Sequence, residues 1–223
     1  MTLPNLPACV GFIGDVHAED DLLEAALDHL KTKGAEVVLC TGDVADGPGS
    51  VARCCELLHQ RNVQTVRGNH ERWLLTGVMR ALPEATDAQT LPVEAREYLT
   101  NLVATREFSS SLGGLLLCHG LGLNDMARVG PDDFGYAIES NDELQSLMRS
   151  PRYRFVVNGH THHAMVRHFS GLTVINAGTL RRHDDPGFLL VDFAHRQVQM
   201  LRFGSSHEIT LHSTKALLSD AAV

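Results

Sequence analysis

The run ACVGFIGDVH, residues 8–17, followed by VVLCTGDVAD at 37–46 and VQTVRGNHE at 63–71, decides the fold. Each run starts as a compact apolar stretch and ends in a polar cluster built on Gly with Asp or Asn. Ala8 to Ile13, Val37 to Leu39 and Val63 to Val66 suit buried strands, because short apolar runs bounded by turn residues can bury both faces. Between the first two, Leu22, Leu23, Ala26, Leu27 and Leu30 recur at helical spacing from about Asp20 to Lys31, and Gly34 stops that helix. Val51, Cys54, Cys55, Leu57 and Leu58 repeat the pattern over Ser50 to Gln60. A further helix begins near His70. Such a β-α-β-α-β succession implies parallel strands joined by right-handed crossovers. The polar clusters then fall at the carboxyl ends of the strands, where open α/β sheets place their ligands.

Further along, Pro83 and Pro92 flank a polar stretch and Val93 to Ala104 reads as helical. The insertion at about 76–111 is therefore expected to form a small helical cap beside the site. Strand character returns at Leu115 to Cys118, which ends in His119. Gly120 to about Glu139 is a loop of a length that usually carries function. A helix over Asp142 to Met148 leads to a strand at Phe155 to Val157. Met165 to Phe169, Leu172 to Ile175, Gly187 to Asp192 and Gln197 to Phe203 read as successive strands, which makes the second half more antiparallel. The tail after Lys215 is expected to be loosely ordered. The expectation is one α/β domain over 1–223, a four-layer α-β-β-α sandwich with two mixed β-sheets.

Composition fits a soluble globular chain of 223 residues, 43% hydrophobic and 21% charged. A net charge of −8 argues against duplex nucleic acid as a partner, since a general binder needs a basic face. No apolar run is long enough to span a bilayer, so no membrane partner is expected. The 5 cysteines form no CxxC pair, and Cys9, Cys40 and Cys118 sit in apolar runs as small buried hydrophobes. Free thiols and the lack of a secretory signal point to the cytoplasm. The oligomeric state is not specified by the sequence.

Five polar clusters carry the chemistry: GDVH at 14–17, GDVAD at 42–46, GNHE at 68–71, HG at 119–120 and GHTH at 159–162. Asp15 and His17 are separated by one residue and can reach a single ion from an extended turn. Asp43 has two carboxylate oxygens and could bridge two ions. Asn69 offers a carbonyl oxygen, and His119, His160 and His162 arrive from two further strand ends. Imidazole and oxygen donors without thiolate suit Mn, Fe, Zn, Co or Ni, with Mn the expected choice. The aspartates could instead be helix N-caps, which also follow strands, but that reading leaves the accompanying His and Asn unexplained. The remaining histidines, His29, His59, His168, His183, His195, His207 and His212, are read as ordinary surface or hydrogen-bonded residues, and His163 is left open.

The ordered set GDVH, GDVAD, GNHE, HG and GHTH resembles the calcineurin-like metallophosphoesterase superfamily. The resemblance implies two divalent metal ions, the first held by Asp15, His17, Asp43 and His162. The second would be held by Asp43, Asn69, His119 and His160, with Asp43 shared. It further implies His70 as general acid oriented by Asp46, and hydrolysis of a phosphomonoester or phosphodiester by a hydroxide bridging the ions. Arg67 is similar to the phosphate-contacting Arg of the serine/threonine phosphatase and dinucleoside-tetraphosphatase branch, which remains an alternative activity. The second cluster departs from that branch, because Gly47 and Pro48 follow Asp46 where a second Arg would stand. GHTH and the later Asn176-Ala177-Gly178-Thr179 look instead like the small phosphodiesterase branch.

The expected substrate is therefore a soluble nucleotide or other small phosphorylated compound. Arg181 and Arg182 could face the site, and Asp125, Asp132 and Asp133 are read as a solvated acidic loop. A non-enzymatic scaffold on the same fold, like the superfamily's retromer subunit, ranks low because His70 and every ligand position are kept.

Overall fold

The computed structural model describes residues 3–218. The chain forms β1 (Cys9–Ile13), α1 (Asp20–Thr32), β2 (Val37–Cys40), α2 (Val51–Gln60), β3 (Gln64–Thr65) and α3 (Asn69–Thr76). It continues through α4 (Val93–Thr100), β4 (Thr105–Ser110), β5 (Gly113–Cys118), α5 (Tyr136–Glu139), α6 (Asp142–Arg149) and β6 (Phe155–Asn158). Strands β7 (Met165–Phe169), β8 (Leu172–Asn176), β9 (Gly187–Asp192), β10 (Gln197–Phe203) and β11 (Ile209–Ala216) complete it. One mixed sheet has the order β11-β10-β9-β1-β2-β3 and the other β4-β5-β6-β8-β7. β1, β2 and β3 are mutually parallel, as are β5, β6 and β8, so the ends of both runs point to one edge of the molecule.

Period-2 alternation builds the four layers. Along β1, Val10 and Phe12 enter the core between the two sheets, while Ile13 joins the core under α1 and α2. In β5, Leu115 and Leu117 face the inter-sheet core, and Leu116 and Cys118 face the one under α6. Phe155 and Val157 of β6 meet Leu189 and Val191 of β9 in the same inter-sheet layer. Successive strand side chains point to opposite faces, so an unbroken apolar run feeds two cores at once. No helix among the described residues is long and apolar enough to cross a membrane.

The edges differ from expectation. The segment at about 76–111 carries one helix, α4, which packs against α2 and α3, and its end is strand β4 rather than cap. β11 runs beside β10 over residues where no strand was expected. Both are edge strands: β4 buries only Phe108, and no residue of β11 is fully buried. Edge strands bury little, so they leave little apolar signal to read. Of the tail expected to be loose after Lys215, Ala216 is the end of β11, and residues 219–223 lie outside the described residues.

Candidate metal centre

The three loops after β1, β2 and β3 are locked together by main-chain and carboxylate hydrogen bonds. The His17 amide donates to the Asp43 carbonyl at 2.7 Å, and the Ala18 amide to Val44 at 2.9 Å. Beneath them lies the fully buried carboxylate of Glu71. It accepts from the amides of Asp43 (3.0 Å), Val44 (2.7 Å), Ala45 (2.9 Å) and Gly68 (2.8 Å). One side chain thus gathers the backbone of two loops, and a Glu at the third helical position after Gly68 is the local signal that could have revealed it. A Cβ at Gly68 would run into the Asp43 carboxylate, and one at Gly159 into that of Asp15, so the close approach of these loops requires glycine. His17, Asp43, Asp46, His160 and His162 all hold left-handed backbone, with φ of 46°, 45°, 64°, 66° and 61°. Left-handed conformations are costly for side-chain-bearing residues and persist where surrounding structure over-determines them, typically at functional sites.

On this scaffold the sequence-predicted donors converge. Asp15, His17 and His162 offer donor atoms that all lie within 4.8 Å of one another, and so do Asp43, His119 and His160. Asp43 Oδ2 stands between the sets, 3.2 Å from His119 Nε2 and 4.0 Å from His17 Nε2. Asn69 Oδ1 joins the second set, 2.8 Å from His119 Nε2. His70 also touches the cluster: its Nε2 is 3.9 Å from Asp43 Oδ2, and its Nδ1 is 2.7 Å from Asp46 Oδ2.

The chemistry of these contacts fits a bound cation. His17 Nδ1 lies 2.9 Å from the Asp46 carbonyl and His162 Nδ1 2.7 Å from Asp184 Oδ2, so each neutral ring carries its proton there. Their Nε2 lone pairs then face each other at 3.1 Å. His119 repeats the arrangement, with Nδ1 on the Thr41 carbonyl at 2.9 Å and Nε2 aimed at two oxygen acceptors. Asp15 Oδ2 is buried with no hydrogen-bond partner among the described residues. Lone pairs crowded against lone pairs, and an orphaned carboxylate oxygen, are the arrangement a positive ion resolves.

Protonation equilibria express the same crowding. Burial pushes the Asp15 carboxyl up to about 6, despite the neighbouring His119. Burial also lowers His17 and His160, each to about 4. For His119, burial works downward, but the Asp43 carboxylate wins and raises it to about 10, so a proton there balances the carboxylates. Asp43 itself would rise with burial, yet His119, His17 and His70 hold it well below the usual carboxylate range. Burial and then the Asp43 charge raise Glu71 to about 7.

Several neighbours were not legible in the sequence. Asp46 accepts a two-pronged contact from Arg80, at 2.9 and 2.8 Å, and the Thr86 amide at 2.8 Å, which ties the 77–92 segment to the site. Asp125 is not solvated: Arg72 grips it through two hydrogen bonds of 2.6 and 2.8 Å, pinning the long loop to α3. Asp133 accepts from the Gly130 amide at 2.7 Å, whereas Asp132 is exposed. Arg182 pairs with buried Glu19 rather than facing the donors. Arg67 lies half-buried between β3 and α3, its amide on Val103 and its guanidinium without a carboxylate partner among the described residues. His163 is exposed and stays outside the donor sets, with Nδ1 on the Thr161 carbonyl.

A profile for the calcineurin-like phosphoesterase superfamily domain matches residues 9–215. The chain belongs to that superfamily, and its His and Asp residues are arranged to hold metal ions. A curated relative, uncharacterized protein MJ0912 of Methanocaldococcus jannaschii, is 30% identical over 66 residues, which are 30% of this chain and 27% of that protein. Among solved structures, hypothetical protein PH1004 of Pyrococcus horikoshii OT3 superposes with a TM-score of 0.67 at 16% identity, covering 95% of this chain and 88% of the other. The phosphoesterase Yfce of E. coli superposes with a TM-score of 0.56 at 17% identity, covering 94% and 99%. At these identities the likeness is one of fold.

Proposed function

We propose that this protein is a metal-dependent hydrolase of small soluble phosphate esters, with nucleotides the favoured class. Asp15, His17, Asp43 and His162 would hold one divalent ion and Asp43, Asn69, His119 and His160 the other, with Asp43 shared and Mn favoured. Bound there, such ions would neutralise phosphoryl oxygens and make water acidic enough to attack phosphorus at neutral pH.

The observation that carries the reading is His70. With His17 and Asp43 its donor atoms form a third close group, but those two partners already belong to the two proposed ion sites, and Asp46 holds the His70 Nδ1. That contact leaves Nε2 to deliver a proton to the departing oxygen, which a poor leaving group requires. Burial works against a charged imidazole, but the hydrogen bond to Asp46 together with the negative charges of Asp43, Asp46 and Glu71 outweighs it and raises the His70 pKa. Arg80 and Thr86 in turn fix Asp46, so the pair is oriented before substrate arrives. Arg67, whose guanidinium has no carboxylate partner among the described residues, would contact a non-bridging phosphate oxygen.

The test is a screen of protein stripped of metal and reloaded with Mn, Fe, Zn, Co or Ni. Generic mono- and diesters, nucleotides, dinucleoside polyphosphates and phosphopeptides would serve as substrates. Metal-dependent turnover of a small ester, lost in His70→Ala, is the expected result. Turnover confined to phosphopeptides or dinucleoside polyphosphates would move the assignment to those activities. No turnover with any ion would leave a scaffold.

A further inference from the structure

Beyond the reaction lies the question of what leaves. If His70 protonates the departing oxygen, the leaving group must lie alongside that ring, which packs against the candidate ligand His17 and against Trp73. The ring centroids of His70 and Trp73 are 4.8 Å apart at a tilt of 56°. Both project from α3 three residues apart, hence on the same helical face. Leu74 is the buried residue of this turn, while Trp73 keeps part of its surface open. A half-open indole beside a proton donor offers a flat apolar face at the point where the ester splits.

The surroundings favour an uncharged ring. Arg72 neutralises Asp125 by its two-pronged contact, so the loop drawn to this side of α3 brings no unpaired carboxylate at that position. Leu123 and Met126, on either side of Asp125 in the chain, are 81% and 46% exposed. Beyond the helix, Val78 and Met79 are also exposed, with the Val78 amide held by the Trp73 carbonyl at 3.1 Å. Exposed apolar side chains in the segments that flank α3 offer surface on which a ligand can bury its own apolar part.

We propose that Trp73 is the platform of a leaving-group subsite, and that the substrate is a phosphate ester whose leaving group carries a flat aromatic ring, an aryl or nucleoside group. This deepens the phosphoesterase reading and rests on it. Stacking of a base on an aromatic side chain contributes enough for the aromatic preference to be about 5- to 150-fold.

The chain contains 1 tryptophan, so its fluorescence reports this subsite alone. Metal-loaded protein would be titrated with phenylphosphonate and with methylphosphonate, neither of which can be hydrolysed. Phenylphosphonate should bind about tenfold more tightly and change the emission, whereas methylphosphonate should bind with little change. By calorimetry, that advantage should vanish in Trp73→Ala and largely return in Trp73→Phe, with metal content measured in each.

In turnover, an aryl ester and a fluoroalkyl ester matched in leaving-group acidity separate stacking from support of His70. Only a stacking role changes their ratio of kcat/KM. AMP against ribose 5-phosphate as competing ligands distinguishes a nucleoside from a simple aryl group. Equal binding of both phosphonates, or an unchanged ratio in Trp73→Ala, overturns the platform while leaving the phosphoesterase reading intact. Binding of neither phosphonate, with no ester hydrolysed, removes both.

Discussion

The two sheets meet at the site but furnish it unequally. The β1–β2–β3 side supplies Asp15, His17, Asp43 and Asn69, all buried, and Glu71 lashes two of its loops together from below. The β5–β6–β8 side supplies buried His119 but also His160 and His162, which are partly exposed. His162 is oriented from outside by Asp184, a loop residue 38% exposed. The carboxylates of the site are therefore concentrated on the side whose loops are tied together by hydrogen bonds, and two of the three imidazoles from the other sheet complete the cage from a more open side. A buried carboxylate needs fixed partners because its desolvation is expensive, whereas a neutral imidazole can sit near solvent with one hydrogen bond to orient it.

The sharpest way to break this comparison is Asp43→Ala, which removes the oxygen between the two donor sets. Both ions should be lost and turnover should fall to background, as read by elemental analysis and assay. Retention of both ions would sink the bridging assignment. His70→Ala should retain metal yet lose on the order of 10²–10⁴-fold in turnover of esters with poor leaving groups. Glu71→Gln puts amide hydrogens where four backbone N–H groups converge and should destabilise the metal-free fold by about 2 kcal/mol, measured by denaturant melts. An equally severe loss from a change on the more open side would contradict the asymmetry.

Asp184→Asn should weaken binding of one ion by about tenfold and leave the fold's stability nearly unchanged. Unequal loss at the two sites is the outcome expected by metal titration.

The smallest effect concerns pH. His70 must carry its proton to act, and its pKa is raised, so activity is present at lower pH and lost as pH rises through that value. Asp46→Asn removes one of the charges that raise it and should move the alkaline limb to lower pH. An unmoved limb would assign the limb to another group. Metal affinity should run the opposite way. Asp15, raised to about 6, and His119, raised to about 10, must both give up protons to bind an ion. Affinity therefore tightens as pH increases across that window.

Much of the site was legible because its donors are strand-end residues in short motifs, and strand ends on parallel sheets face one edge. Residues that act through others were not. Arg80 and Thr86 lie in a segment with no periodicity, and their contacts to Asp46 span 34 and 40 residues. Asp184 follows His162 by 22 residues in an exposed loop. Asp125 reads as a solvated acid in the sequence, but its partner Arg72 lies 53 residues away in the chain. Trp73 sits inside the third motif's helix, and helical spacing alone does not say that its ring packs against that of His70.

By itself the amino-acid order determined the alternating β-α layers and the identity of the metal-seeking side chains, because apolar periodicity and residue chemistry are local properties. Tertiary structure alone decided which lone pairs confront one another, how Arg80 and Asp184 steady the site, and which ring lies beside His70. Those contacts depend on the meeting of two sheets from distant parts of the chain, and no local pattern encodes the distance between them.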